Sequence, residues 1–361
     1  MTRAKNPLSR RNLLGLVSTA SLGPGLLSAD AAAQPRPPQD NGKSRSGART
    51  FNIRDFGAKG DGQTLDTQAV QAAIDACSND KGGRVLVPAG TFLIGTVEMK
   101  SNVTLHISAE GTLMGSTHSG DYHPADRIPL KGDTTLRDGN VAMIYAVDAE
   151  DITIEGPGII DGQGVQFPSL RRHLPPKFAS GGEDRPHHLL FYRCKNVRIR
   201  DVFLFACAYQ SVRIIQSRYV WCDGIRIYSR VNRNNDGFHF VSCEDVHVSN
   251  CDVRCQDDAC AMFGSCRNIT VTNCAFSTRW AVFRFGGGNP ANITISNCVV
   301  YETYGCPIKM QFGPESQAQN ILFSNIVMDN VTGPISIGLR RRSDRTAFAT
   351  GAYFPSARTA S

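Results

Sequence analysis

A short alternation of apolar and polar residues recurs along the second half of the chain. Each copy has apolar residues at its second and fourth positions and ends in Asp, Asn or Gly. The six copies occupy residues 196–201, 219–224, 245–250, 268–273, 292–297 and 320–325. Their leading apolar residues lie 23 to 28 positions apart, and looser copies occur at 103–105 and 152–154.

This pattern predicts short strands, each with one buried face and a turn after it. A period of 23 to 28 residues that holds several short strands is typical of one coil of a solenoid, in which each coil buries its apolar face against its neighbours. The dense leucine pattern of the competing leucine-rich solenoid is absent. We therefore predict an all-β fold, a single right-handed parallel β-helix over residues 50–339.

One segment has the periodicity of a helix, from Thr67 to Ala76. Val70, Ile74 and Cys77 would share one side of this helix, and Asp66 would be its N-terminal cap. A helix at this point would close the open end of the coil stack and cover its exposed edge.

Cysteines also follow the repeat. One template position holds Cys194, Cys243 and Cys266, and another holds Cys251, Cys274 and Cys298. Disulfides and metal ligation are open interpretations, but burial as small apolar side chains fits stacked positions better. The chain has no Cys-x-x-Cys pair, which argues against a structural zinc site.

The two ends of the chain differ from this body. Basic residues precede an apolar run from Leu13 to Leu27, and Ser9-Arg10-Arg11-Asn12-Leu13-Leu14 resembles a twin-arginine export signal. An ordinary Sec signal is the alternative. We predict a signal peptide over 1–33, a flexible linker over 34–49 and a polar basic tail over 340–361. The tail would stand where further coils are expected, so either the last coils are truncated or the chain ends on an unusual cap. The mature protein would be bacterial and exported, to the periplasm or the medium, without a stable membrane anchor.

The formal charge of +7 lies in these two ends, because residues 1–30 carry +3 and residues 340–361 carry +4. The body between them is therefore neutral. Net charge gives no support for an acidic polymer or a nucleic acid as partner, and a local basic groove is the open alternative.

Three acidic residues depart from the repeat. Asp236 lies 21 residues before Asp257, and Asp258 follows directly. Because that spacing is about one coil and strands stack about 4.8 Å apart, the three carboxylates are predicted to cluster on one face. Like charges so close favour a proton held on one of them, as glycoside hydrolysis by inversion requires. A stacked polar ladder and a calcium site are the alternatives.

Several short motifs follow one another in a specific order. They are Asp55-Phe56-Gly57-Ala58-Lys59-Gly60-Asp61-Gly62, Pro88-Ala89-Gly90-Thr91-Phe92, Asp161-Gly162-Gln163-Gly164, Arg185-Pro186, Asn234-Asn235-Asp236 and Gln256-Asp257-Asp258. Together they resemble the polygalacturonase-like glycoside hydrolases of family 28, in which the last two motifs read Asn-Thr-Asp and Gly-Asp-Asp. The resemblance implies that Asp257 is the general acid and that Asp236 and Asp258 activate water. It implies no metal and no cofactor.

The chain departs from that family at two motifs. Its Gly-His-Gly motif is expected 22 residues after Asp257, where this sequence has Arg279. Its Arg-Ile-Lys motif aligns with Pro307-Ile308-Lys309, which keeps only the lysine. We predict that Arg279, Trp280, Arg284 and Lys309 rebuild the substrate site together with Asn234. Trp280 would offer a platform for a sugar ring, and its alternative role is core packing.

The leading hypothesis is thus a monomeric glycosidase that cleaves O-glycosidic bonds of a pectin-related polysaccharide or oligosaccharide. A β-helix polysaccharide lyase with a Lys or Arg base is one alternative. A non-catalytic carbohydrate-binding solenoid is the other, because the family's histidine is missing.

Overall fold

The computed structural model describes residues 49–128, 139–167 and 185–339. The predicted signal peptide, the basic tail and all but the last residue of the linker lie outside the described residues. No helix in the described part of the chain is both long and apolar enough to cross a membrane.

The described chain winds into coils whose strands form three parallel rows. Row one contains β1 (Thr50–Asn52), β3 (Gly83–Val87), β6 (Val103–Ile107), β9 (Glu150–Glu155), β12 (Lys195–Arg200), β15 (Arg218–Asp223), β18 (Glu244–Ser249) and β21 (Arg267–Thr272). Row two contains β2 (Asp61–Leu65), β4 (Gly90–Ile94), β7 (Gly111–Gly115), β10 (Ile159–Asp161), β13 (Phe203–Phe205), β16 (Arg226–Ser229), β19 (Asp252–Cys255) and β22 (Ala275–Thr278). The longer strands β24 (Ala291–Thr303) and β26 (Gln319–Val331) run through both rows.

Row three forms a separate sheet. It contains β5 (Val97–Glu98), β8 (Ala142–Val147), β11 (His187–Tyr192), β14 (Val212–Ile215), β17 (Phe238–Val241), β20 (Cys260–Phe263), β23 (Phe283–Gly286), β25 (Ile308–Phe312) and β27 (Ile335–Leu339). Every pairing between these strands is parallel. The predicted right-handed parallel β-helix is confirmed.

The coil register also follows the sequence template. Val246 pairs with Val220 on one side and with Ile269 on the other, and Ile269 pairs with Ile293. The looser early copies join the same stack, because Leu105 pairs with Ile154. All these apolar side chains are buried, so each coil completes the core of the coil before it.

Most copies of the template begin and end with Asn or Asp because the backbone turns there through the left-handed region. Asn268, Asn292 and Asn320 have φ angles of 54°, 58° and 55°, which Asn tolerates better than most residues. Their side chains also bond along the stack. The amide of Asn292 donates to Asn268 at 3.0 Å, and that of Asn320 donates to Asn292 at 3.0 Å.

Both predicted cysteine columns are buried, and their thiols are free. Burial is the main cause that raises the pKa of Cys243 and of Cys266, the latter to about 12. A thiol kept protonated in this way behaves as a small apolar side chain, which agrees with the packing interpretation.

The predicted helix is present as α1, from Thr67 to Asn79. Val70, Ala73, Ile74 and Cys77 are buried, and α1 contacts strands β1, β3, β5 and β6 at the N-terminal end of the stack. Asp66 occupies the predicted N-cap position, but its side chain forms no capping hydrogen bond. Its carboxylate accepts hydrogen bonds from the backbone N–H groups of Lys59 and Gly60, at 2.7 and 2.9 Å, because the 58–60 turn folds against the helix start.

Candidate active site

The three acidic residues lie in successive turns between row two and row three. Asp236 is in the turn from β16 to β17, and Asp257 and Asp258 are in the next turn, from β19 to β20. Phe238 pairs with Cys260, so Asp236 and Asp258 occupy equivalent positions two residues before their strands. Backbone hydrogen bonds join the turns, from Gly237 N–H to Asp258 O at 2.9 Å and from Asp257 N–H to Asn235 O at 3.0 Å.

Asn235 fixes the shape of the first turn. Its side-chain oxygen accepts from the backbone N–H groups of Val231 and Asn232, at 3.2 and 2.6 Å. Its amide donates to the carbonyl groups of Cys207 and Tyr209, at 2.9 and 2.6 Å. The turn that carries Asp236 is thus tied to the preceding coil, which restricts the position of the carboxylate.

Cys255 shows that the three carboxylates share one environment. Burial is the main cause that raises the pKa of this thiol, and the negative charges of Asp236, Asp257 and Asp258 each raise it further. One thiol therefore lies within electrostatic reach of all three acids. The cluster that the spacing predicted is formed.

The two neighbouring acids differ in their surroundings. Burial, followed by the charge of Asp257, raises the pKa of Asp258 to about 8, against the opposing effects of Arg284 and Lys309. Asp258 Oδ1 is buried and has no hydrogen-bond partner among the described residues. Asp257 is less buried, and burial raises its pKa as well.

The oxygens of Asp257 both accept hydrogen bonds. Asp258 N–H donates to Oδ1 at 2.9 Å, and the amide of Asn234 donates to Oδ2 at 3.2 Å. These two hydrogen bonds lower the pKa of Asp257, but burial has the larger effect, so its pKa, like that of Asp258, lies above the usual carboxyl value. Asn234, predicted as a substrate ligand, contacts the acid itself.

Basic side chains of the next coils face this pair. Arg284 lies on β23, with its Nε 3.8 Å from Asp258 Oδ2, and burial lowers its pKa. Lys309 pairs with Arg284 from β25 and lies over the ring of Trp280, with its Nζ 4.5 Å from the ring centroid. Burial and the charge of Arg284 lower the pKa of Lys309. The structure therefore brings Trp280, Arg284 and Lys309 together beside the acids.

The predicted alignment of Arg279 with Asp257 is wrong by one residue. Cys260 pairs with Phe283, a separation of 23 positions, which places Trp280 in register with Asp257. Among the described residues, Arg279 forms no ion pair with any of the three acids. Core packing of Trp280 is also excluded, because 45% of this residue is exposed.

The sequence shows no partner spacing for His239 and indicates only a loop or groove-lining role for it. This buried residue is on β17, and its Nδ1 lies 2.7 Å from Asp236 Oδ2. The same oxygen accepts from the side-chain amide of Gln210 at 3.2 Å. The sequence signal is the three-residue gap between Asp236 and His239 across a turn–strand junction, which is much shorter than one coil.

The described parts of the chain contain no candidate metal site. No group of three or more His, Cys, Asp or Glu side chains there is arranged to hold a metal ion.

The amino-acid sequence from residue 77 to residue 345 matches the family model of the glycosyl hydrolases family 28. The chain belongs to this family. Among curated family 28 relatives, it is 25% identical over 303 residues to a probable polygalacturonase of Arabidopsis thaliana, covering 80% of this chain and 64% of the relative. It is 26% identical over 310 residues to polygalacturonase-2 of Solanum lycopersicum, covering 81% of this chain and 63% of the relative. This family 28 chain thus spans less than two thirds of the length of these relatives.

Solved structures show the same fold. The exopolygalacturonase of Thermotoga maritima superimposes with a TM-score of 0.70 at 23% identity, over 81% of this chain and 76% of that one. The family 28 exopolygalacturonase of Yersinia enterocolitica superimposes with a TM-score of 0.62 at 22% identity, over 79% of this chain and 66% of that one. These similarities show the β-helix fold alone. The chemistry of this family 28 protein is inferred from its own residues.

Proposed function

We propose that this family 28 protein is a glycosidase that hydrolyses O-glycosidic bonds in a pectin-related polysaccharide or oligosaccharide, with inversion at the anomeric carbon. One observation carries the proposal: Asp236, Asp257 and Asp258 lie in adjacent turns on one side of the β-helix, and burial raises the pKa of both Asp257 and Asp258. A protonated acid beside ionised acids is what this reaction needs.

In the proposed mechanism, Asp257 is the general acid. It is the more exposed member of the pair, so the oxygen of the leaving sugar would reach it more readily than Asp258. When Asp257 holds the proton, Asp258 is ionised and acts with Asp236 on a water molecule. The water oxygen forms a bond to the anomeric carbon, its proton passes to Asp236 or Asp258, and the leaving oxygen takes the proton of Asp257 as its bond breaks.

The two basic residues beside the acid cluster favour a substrate that carries carboxylate groups. Arg284 and Lys309 lie beside the acids, and burial lowers the pKa of both, so a second anion there would stabilise their charged forms. The half-exposed ring of Trp280 would pack against a sugar face. Arg279 is exposed next to Trp280 and would contact the substrate from the rim.

A lyase is the second candidate, and one observation favours it. Burial and the charge of Arg284 lower the pKa of Lys309, which makes this lysine a better base for removing the proton α to a uronate carboxyl group. The protein is further proposed to act outside the cytoplasm, in the periplasm or the medium, and as a monomer.

The decisive experiment compares wild-type protein with two Asp→Asn variants on polygalacturonate and on neutral polysaccharides. We expect new reducing ends without ultraviolet-absorbing unsaturated product, and an inverted anomer in the first product seen by NMR. Asp257→Asn should abolish turnover and retain sugar binding. Asp329→Asn is the matched control, because Asp329 is exposed on β26 and belongs to row two.

The alternatives give different results in the same assay. Unsaturated product that disappears in a Lys309→Met variant would establish the lyase. Sugar binding without turnover in the wild type, unchanged in Asp257→Asn, would establish a non-catalytic binding protein.

A further inference from the structure

The family's histidine is absent from the coil after the acid pair, and a different histidine contacts the acid cluster from the coil before it. His239 is on β17, three residues after Asp236, and both side chains are 6% exposed. The Nδ1–Oδ2 distance of 2.7 Å is that of a strong hydrogen bond to a carboxylate. The glycosidase mechanism proposed above assigns no role to this contact.

The imidazole of His239 is fixed by an aromatic neighbour. Its ring stacks on Phe263 with the centroids 5.0 Å apart and an angle of 22° between the planes. The guanidinium of Arg284 also lies over Phe263, 5.6 Å from its centroid. His239, Ala261 and Arg284 occupy the same register position on three successive strands of row three. Ala261, between the two polar residues, has a small side chain. The Phe263 ring can therefore contact both His239 and Arg284.

The space for this ring depends on a glycine in the next coil. Gly286 pairs with Phe263, and a Cβ atom at Gly286 would lie 2.6 Å from Phe263 Cε1. That distance is far below van der Waals contact. The absence of a side chain at 286 therefore lets Phe263 hold His239 on one side and Arg284 on the other.

We propose that His239 is a positioning residue for the hydrolytic reaction. It donates from Nδ1 to Asp236 and orients this carboxylate towards the attacking water, in place of the family's missing histidine. This inference rests on the proposed glycosidase function. Misplacing a reacting group by about 1 Å can reduce a rate about 100-fold, so an orienting bond of this kind matters even without contact to the substrate.

A matched pair of polar variants tests the inference. His239→Asn keeps a donor close to the position of Nδ1, whereas His239→Gln places its donor farther along the side chain. We expect His239→Asn to retain kcat within about threefold and His239→Gln to lose about 100-fold in kcat, with KM changed less than threefold in both. Thermal unfolding of both variants checks that they fold, and the polar pair avoids burying an apolar group beside Asp236.

The pH profile of kcat/KM supplies a readout that a purely structural role would not change. A donor to Asp236 favours its ionised form, so His239→Gln should move the acidic limb to higher pH and His239→Asn should leave it in place. The charged groups next to His239 are Asp236, within hydrogen-bond distance, and Arg213, its strand partner on β14, while Arg284 on β23 lies over Phe263. These groups are the same in both variants, so they cannot produce a difference between them.

The possible outcomes distinguish the positioning role of His239 from the proposed glycosidase function. Equal kcat and equal pH profiles for wild type, His239→Asn and His239→Gln would overturn the positioning role while leaving the glycosidase intact. Equal losses in both variants that appear only in KM would also overturn it. Absence of hydrolysis by the wild type would refute the proposed function and this inference with it.

Discussion

Replacing Asp258 by Asn should stabilise the protein, and the gain should grow with pH. Asp258 is buried, and its pKa is raised from 3.8 to about 8 in the folded chain. Between those values the folded protein holds a proton that the unfolded chain has released. Stability therefore falls as pH rises through this range, by up to about 1.4 kcal/mol per pH unit.

The expected magnitude follows from this linkage. Between pH 4 and pH 7 the loss amounts to about 4 kcal/mol at most. Asn cannot ionise, so the variant escapes this loss. The opposing effects of Arg284 and Lys309 are already contained in the pKa of about 8, so they do not reduce the gain further. We expect the free energy of unfolding of Asp258→Asn to exceed that of the wild type by about 2 to 4 kcal/mol at pH 7 and by about zero at pH 4.

Urea unfolding followed by far-ultraviolet circular dichroism at pH 4, 5.5 and 7 measures this difference. Asp329→Asn, an exposed control, should change the free energy of unfolding by less than about 0.5 kcal/mol at every pH. A gain that is independent of pH would refute the reasoning, because it would arise from packing rather than from ionisation. A loss of stability at pH 7 would refute it as well.

Three further substitutions have expected outcomes. Gly286→Ala forces a Cβ to within 2.6 Å of the Phe263 ring and should reduce the free energy of unfolding by about 1 to 3 kcal/mol in urea titrations; an unchanged midpoint would show that the ring has room to move. In initial-rate assays, Trp280→Ala should raise KM about fivefold with kcat nearly constant. Trp221→Ala, a control on row one, should leave KM unchanged. Equal changes of KM in the two variants would contradict the role of Trp280 as a sugar platform. Asn292→Ala should destabilise the protein by about 1 to 2 kcal/mol, and Asn292→Gly by less, because glycine keeps the left-handed turn; equal losses would assign the effect to the side-chain hydrogen bond alone.

The fold could be predicted because each apolar residue of the template is buried by its own equivalent one coil later. Val246 and Ile269 pair as their sequence spacing requires, and so do Ile269 and Ile293. The clustering of Asp236 with Asp257 and Asp258 follows from the same register. Their catalytic roles remain proposals.

The site was harder to predict where it departs from this period. Trp280, and not Arg279, lies opposite Asp257 because this coil has 23 residues instead of 22. The difference of one residue is set by a turn between rows. The contact of His239 with Asp236 joins a turn to its own following strand, so no period reveals it. Asp66 marks the start of α1, but its carboxylate binds an adjacent turn that only the tertiary structure brings close.

Chemical labelling of the buried thiols could follow the local unfolding of this protein. All twelve cysteines are free, eleven are buried, and they are distributed over successive coils. A thiol in such a column becomes reactive only when its coil separates from a neighbour, since burial keeps it protonated and out of reach. The rate at which a thiol reagent labels each cysteine would therefore report the local opening of its own coil, from Cys77 on the capping helix to Cys298 near the last turns.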